Sequence, residues 1–313
     1  MPRAVRFASY GGSDVLEVVE VDQPHPGQSE VVVRVVVAGV NPGEIGIRQG
    51  VFADIWPARF PEGQGNDFSG YVAEVGAGVS GFGVGEQVIG FAPRAAQAEY
   101  VRVPAGRLAR KPEGLAWEVA AVLSAVGATA YAAVRAVGVR AGDTVVVSAA
   151  AGGVGVVAAQ LARLAGARVI GTAGEANAEF LRSLGVEPVR YGAGLAERIR
   201  ALAPEGVDAY VDNFGAGNVK VAIELGVSPA RINTIADGEA ARLYGTRTDA
   251  QEQADTPEVW EQLAALASGG QLVIPIQSVY PLERVRDAYD ELAARHTRGK
   301  IVLRVGTERP SSG

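Results

Sequence analysis

Residues 148–174 read SAAAGGVGVVAAQLARLAGARVIGTAG, a run of small and apolar residues with a Gly152-Gly153 pair and no charge before Arg163. It reads as a membrane span, a buried core helix, or a loop that grips a phosphate. The uncharged stretch from Thr144 to Ala162 is just long enough to span a bilayer. Its middle, SAAAGGVG, has a strand-like start and a helix-like finish, and small residues there suit a sharp turn better than a greasy span. A plain core helix fails as well, because a helix interior loses about 1 kcal/mol for each glycine. What remains is strand, turn and helix, with Ala149-x-x-Gly152-x-x-Gly155 in place of G-x-G-x-x-G. Small residues here serve the tight turn, the approach of backbone to a pyrophosphate, and close packing of helix on strand. The helix start then presents free N–H groups and a partial positive charge. On the residues alone, a purely structural turn is the competing reading.

The surroundings favour the phosphate-gripping turn. DTVVVSA precedes the turn as a strand, and GVGVVAAQLARLAG follows as a helix. ARVIGTA (strand), ANAEFLRSLG (helix) and VDAYVDNFG (strand) come next. Such alternation predicts an α/β domain with a doubly wound parallel sheet. Upstream, WEVAAVLSAVGATAYAAVRAVG has apolar residues at helical spacing and stops at Gly138. Residues 1 to about 115 are different in texture: VLEVVEVDQPHPG and EVVVRVVVAGVNPGE are Val-rich runs bounded by Pro, Gly and Asn, as strands are. A second glycine-rich stretch, VAEVGAGVSGFGVGEQVIGF, has no helix after it and predicts β-turns. Near the end, LVIPIQSVYPL leads to a helix, LERVRDAYDELAARH, and a closing strand, GKIVLRV. The tail GTERPSSG is expected to be disordered.

Composition narrows the function classes. The chain has 313 residues, 48% of them hydrophobic and 20% charged, which predicts two domains with ample core. Its net charge of −6 comes without any Lys/Arg run, so no nucleic-acid face is expected. It has no cysteine, which excludes disulfides, thiolate nucleophiles and Cys-based metal sites. MPRAVRFASYGG does not read as a signal peptide, and a cytoplasmic protein is expected.

Several segments together resemble the zinc-independent quinone oxidoreductases of the medium-chain dehydrogenase/reductase superfamily. They are RAVRFASYGGSDVLEVVEV, AGVNPGEIGIRQG, FPEGQGNDFSGYVAEVGAGVSGFGVGEQVIGF, AEYVRVPAGRLARKP, AAAGGVG and HTRGKIVLRV. The resemblance implies a GroES-like, β-rich barrel domain over 1–117 and 271–313 and a Rossmann domain over 118–270. Cofactor and substrate are expected to meet in the cleft between them, in a homodimer formed through the cofactor domains. It also implies cofactor contacts at Asn41, Thr129, Ala151, Gly152, Gly153, Val154, Gly155, Thr172, Gly174, Tyr191 and Asn213.

Zinc-dependent members of that superfamily carry a Cys near the position of Asn41 and Gly-His-Glu where this chain has Gly65-Asn66-Asp67. A tetrahedral zinc site needs three or four N, S or carboxylate donors. Those donors are missing, and His25 and His296 stand in stretches without liganding partners, so no metal is expected and both histidines are read as surface residues. Without zinc, the hydride acceptor must itself accept hydride readily, as a quinone or an α,β-unsaturated carbonyl does. Asn41 is the candidate catalytic residue, facing the nicotinamide or the substrate oxygen; its plainer reading is an Asn-Pro turn. Asp67 is expected to hold its loop. Two departures, Gly46 in place of an aromatic and RAAQAEY in place of a Gly-Gly before AEY, imply a more open pocket that takes a bulkier substrate.

NADPH is the expected cofactor. In an NAD enzyme the second strand ends in an Asp or Glu that binds the ribose 2′-OH, and Ala173 stands there instead. Tyr191, which aligns with a family aromatic, and Arg190 supply the positive side of that expectation; Glu175 serves NADH if the loop folds back. Other enzyme classes fit poorly: no tyrosine has Lys four residues on, and the only Gly-Lys, Gly299-Lys300, is followed by Ile. The remaining alternative is a non-catalytic dinucleotide-binding redox sensor or structural protein on the same fold.

Overall fold

The computed structural model describes residues 1–307 and divides into two compact units, 126–255 with 272–274, and 1–125 with 256–271 and 275–307.

The first of these is built on a five-stranded, all-parallel sheet. Its strands lie in the order Glu187–Arg190, Arg168–Ala173, Thr144–Val147, Ala209–Asp212, Ile232–Thr234. Thr144–Val147 sits at the centre with Val145, Val146 and Val147 fully buried, which is why it reads as an unbroken apolar run. The chain runs outward from it in one direction and then returns to its other side. The strand order therefore reverses beside Thr144–Val147, and the loops after it and after Ala209–Asp212 flank the reversal, the place where such sheets bind ligands. Val146, Ile170, Tyr210 and Ile232 join Leu195, Ile199 and Val219 in the core of this unit.

The quoted stretch folds as strand Thr144–Val147, a turn, helix Gly153–Leu164 and strand Arg168–Ala173. It does not cross anything as a single span. The one described helix long and apolar enough to cross a membrane is Trp117–Ala136, and 67% of its most apolar window is buried within the protein. That helix carries a π-helical segment, Leu123–Gly127, and the division between the units falls inside it.

The second unit is β-rich. One sheet runs Ile276–Pro281, Lys300–Arg304, Glu30–Gly39, Asp67–Val75, Gln87–Phe91, Leu108–Arg110, and Tyr100–Pro104 also pairs with Glu30–Gly39. A smaller one runs Glu17–Glu20, Arg3–Phe7, Glu62–Gly63. Glu30–Gly39 (EVVVRVVVAG) is the hub, buried at eight of its ten positions because neighbouring strands cover it. The second glycine-rich stretch is the antiparallel pair Asp67–Val75 and Gln87–Phe91 with its connecting turns. Helix Pro257–Ser268 belongs to this unit, with fully buried Trp260 under the guanidinium of Arg107. The sequence-based division, 118–270 against the rest, puts that helix with the parallel sheet; backbone contacts group it with the β-rich unit. Of the tail, Thr307 is held by Arg34 Nη1 on its carbonyl at 3.1 Å, and residues 308–313 lie outside the described residues.

The helix that starts at Gly153 presses directly on the turn before it. A Cβ at Gly155 would overlap the carbonyl oxygen and carbon of Ala149 and touch the Cα of Ala150 at 3.0 Å. Backbone cannot swing aside as a flexible side chain does, so Gly155→Ala is expected to cost about 1–3 kcal/mol, read as a lowered denaturant midpoint at unchanged slope.

Candidate functional site

The parallel-sheet unit offers a cradle built from backbone. Ser148 leaves the central strand, its amide bonded to Val211 O at 2.9 Å, and its hydroxyl donates to the buried Asp212 at 2.7 Å. Ala149 takes a φ of +47°, unusual for a residue with a Cβ. Its amide donates to Thr172 Oγ1 at 3.1 Å, while Ala150 N donates to Thr172 O at 2.9 Å. Thr172 thus braces the turn with both its oxygens. Gly152 caps the helix with extended backbone and no side-chain cap. The first helical bond runs from Val156 N to Gly152 O, so the amides of Gly153, Val154 and Gly155 face outward from the helix start. With the helix dipole they form an anion-binding end.

Across the strand reversal, Asn213 completes the cradle. Its amide nitrogen donates to Ser148 O at 3.0 Å, and its Oδ1 is buried without a partner among the described residues. An orphaned acceptor beside free backbone donors fits a polar ligand such as a dinucleotide. Asp212 holds this loop in place by accepting from Phe214 N, Gly215 N and Thr234 Oγ1. At the end of the second strand, Ala173 and Gly174 lead into a short 3₁₀ turn, Glu175–Asn177, with Glu175 exposed. Tyr191 is 57% exposed, and a Cβ on Gly174 would lie 3.6 Å from its hydroxyl. Arg190 is exposed next to it, and Arg198 wraps the carbonyls of Arg190, Gly192 and Ala193. Thr129 lies half-buried on helix Ala128–Ala136, and Ala151 is buried within the turn.

The β-rich unit holds a separate polar cluster around Asn41, the N-cap of helix Pro42–Arg48. Lys300, 3% exposed, donates from Nζ to Val40 O and to Asn41 Oδ1, each at 2.6 Å. Asn41 Nδ2 donates to Asp67 Oδ1 at 2.6 Å and to Glu44 Oε1 at 3.0 Å. Glu44 also accepts from Asn41 N, Asn66 Nδ2 and the hydroxyl of Tyr289. That hydroxyl in turn accepts from Gln64 and Gln97, and Arg48 stacks its guanidinium over the Tyr289 ring at 4.7 Å. Asp67 Oδ2 is buried without a partner among the described residues. Burial, and then the nearby Asp67 carboxylate, push Glu44 up to about 7 against the hydrogen bonds it accepts from Asn41 and Tyr289. Burial likewise raises Asp67, which Lys300 opposes, and lowers Lys300, which Asp67 and Glu44 oppose.

Of the residues singled out by sequence, the glycine turn, Thr172, Gly174, Tyr191 and Asn213 lie around the strand ends of one unit. Asn41 and Asp67 meet in the other. His25 pairs with Glu74 at the surface, and His296 is exposed. Sequence reasoning missed Glu44, Tyr289 and Lys300. Two of them had legible signals: Asn41-x-x-Glu44 is a capping-box spacing, and Lys300 directly precedes the apolar run Ile301-Val302-Leu303.

The alcohol dehydrogenase GroES-like domain model matches residues 27–113, and a model described as "Zinc-binding dehydrogenase" matches 184–303. A quinone oxidoreductase of Pseudomonas aeruginosa is 30% identical over 97% of this chain and 99% of its own. Among solved structures, the quinone oxidoreductase of Coxiella burnetii superposes with a TM-score of 0.87 at 29% identity, covering 97% of this chain and 99% of that one. A structure titled "NAD-dependent alcohol dehydrogenase" gives 0.86 at 31% identity over 97% and 100%. The chain belongs to the quinone oxidoreductase family of the medium-chain dehydrogenase/reductase superfamily. It is an oxidoreductase of the dinucleotide-binding kind, with a GroES-like domain and a Rossmann-type sheet.

The zinc in that model's description does not fit the residues present. No group of three or more His, Cys, Asp or Glu converges among the described residues. Where donors would be needed stand the amides Asn41 and Asn66, two carboxylates already engaged, and an ammonium that repels a second cation. Protein purified without chelator should carry zinc well below one equivalent by elemental analysis; stoichiometric zinc whose removal abolishes activity would overturn this.

The Glu44 shift has a signed consequence. Its folded value, about 7, lies above its ordinary 4.5, so between those values the folded state binds more protons than the unfolded one. Stability contributed by this group is present below 4.5 and is lost as pH rises through 7. Unfolding free energy should decline over that window, by at most about 3 kcal/mol from this group. Glu44→Gln should remove that decline in denaturation series at successive pH values.

Proposed function

We propose that this chain is a zinc-independent, NADPH-dependent reductase that delivers hydride to a quinone or an α,β-unsaturated carbonyl compound. When bound, the reduced nicotinamide supplies the hydride; the chain supplies grip, orientation and polarity. In this reading the amides of Gly153, Val154 and Gly155 take the pyrophosphate, Asn213 holds the ribose-nicotinamide side through Oδ1, and Ala151, Gly152, Thr129, Thr172 and Gly174 line the binding path. Asn41 faces the nicotinamide or the substrate oxygen. For a quinone, hydride plus one proton from solvent gives the hydroquinone, so the balance needs no further reductant.

The observation that carries the cofactor choice is the end of the second strand, Ala173-Gly174. It bears no carboxylate, and the Tyr191 hydroxyl stands beside Gly174 with Arg190 adjacent. A 2′-phosphate meets a hydroxyl donor and a cation there, and the ribose 2′-OH of NADH meets no carboxylate acceptor. Exposed Glu175, one residue on, favours NADH as the second reading. The buried apolar window of helix Trp117–Ala136 supports a core helix in a cytoplasmic protein. A homodimer through the parallel-sheet units is the assembly we propose, measurable by sedimentation.

Titrating the two reduced cofactors decides the choice. NADPH should bind at least tenfold more tightly, and Tyr191→Phe should narrow that gap. Tighter NADH binding, weakened by Glu175→Ala, makes Glu175 the ribose ligand instead. Gly155→Leu should abolish binding of either cofactor while leaving the β-rich unit folded. Absence of turnover with every quinone and enone, despite tight cofactor binding, would favour the non-catalytic redox sensor.

A further inference from the structure

Asn41 has a carboxamide whose two ends normally look alike, so its role turns on which end is open. Here the neighbours decide. Lys300 Nζ can only donate and lies 2.6 Å from one end, while Asp67 and Glu44 offer carboxylate oxygens at 2.6 and 3.0 Å from the other. Flipping the amide would set –NH₂ against an ammonium and a carbonyl against two carboxylates. Both Nδ2 hydrogens are therefore spent. Oδ1 accepts one bond and has a second lone pair, on a side chain that is half-buried.

We infer that Asn41 binds its ligand as a hydrogen-bond acceptor only, and that Lys300 is the positioning residue that fixes this polarity. The inference rests on the proposed reading of the chain as a reductase that uses a nicotinamide dinucleotide, and it sharpens that reading. Asn41 does not donate to a quinone or enone carbonyl and does not steady a developing oxyanion. It takes an N–H or O–H donor: the carboxamide of the nicotinamide, or the hydroxyl of the hydroquinone product. Lys300 acts at one remove. It donates to Val40 O and Asn41 Oδ1, and its ammonium also balances the buried Asp67.

Two ligand pairs test this with the full chain. The first compares the reduced nicotinamide dinucleotide with its 3-acetylpyridine analogue, which keeps the carbonyl and replaces –NH₂ by methyl. The second compares a hydroquinone with its dimethyl ether as inhibitors. The native chain should lose about tenfold in affinity across at least one pair, the effect of one hydrogen bond, and the pair that responds identifies the source of the donor. Asn41→Ala should erase that difference. Lys300→Met should shrink it severalfold, because an unpinned amide turns either way; if that variant does not fold, Lys300→Met with Asp67→Asn removes both charges together. ADP-ribose affinity should stay unchanged throughout. Equal affinities in both pairs for the native chain, or a difference that survives Asn41→Ala, would overturn the acceptor role. A difference untouched in the folded Lys300 variants would overturn the positioning role. A native chain that fails to bind ADP-ribose would instead sink the dinucleotide reading, and the hydroquinone pair would still decide the polarity of Asn41.

Discussion

The contact on which the β-rich unit depends is the buried ammonium of Lys300 on Val40 O and Asn41 Oδ1. It joins residues 259 apart in sequence, and it does so where the strand Lys300–Arg304 pairs with Glu30–Gly39. A lone buried cation is costly, and it is tolerable only when paired and fully bonded. Asp67 supplies the countercharge, and Asn41 passes hydrogen bonds between cation and carboxylates. Gly39 lacks a side chain for a related reason: a Cβ there would collide with the Asp67 carboxyl. Charge pairing, helix capping and close strand packing at this point are one constraint, and none can change without the others.

That constraint also explains what the sequence could and could not disclose. The parallel-sheet unit was legible because its signals are local. Val145–Val147, the glycine turn and the Ala-rich helix lie within one short stretch, and periodicity reads such stretches well. The β-rich unit was legible only as a texture of Val-rich runs, since its pairings span long separations, as between residues 31 and 75 or 302 and 39. Helix Pro257–Ser268 falls within 118–270 in the sequence-based division, whereas its contacts group it with the β-rich unit, where Trp260 lies under Arg107. Asn41 and Asp67 stood out as altered motif positions. Glu44, Tyr289 and Lys300 did not, because a buried polar residue differs from an exposed one only through partners the linear sequence does not show.

The glycine turn departs from expectation in a way that has a physical reading. Ala149 adopts a left-handed φ that glycine takes at no cost, and the strain, of the order of 1 kcal/mol, is offset by its bond to Thr172 Oγ1 and by the seating of its carbonyl against Gly155. The glycine is retained at Gly155, where a Cβ would overlap the backbone of Ala149, while Ala149 itself carries a methyl.

The two units divide the chemical work by the kind of group each contributes. The parallel sheet offers backbone amides and an unpaired carbonyl oxygen, groups that bind by geometry and do not titrate. The β-rich unit offers a cluster in which one ammonium faces two carboxylates, so burial favours retention of a proton there near neutral pH. Two of the three N–H donors of the Lys300 ammonium are given to Val40 O and Asn41 Oδ1, which ties the cation to the chain's own groups. The proposed substrates, a quinone or an enone, carry their own electrophilicity. In the proposed reading the β-rich cluster contributes orientation: its bonds fix the direction of the Asn41 carboxamide, which leaves a lone pair on Oδ1 as an acceptor.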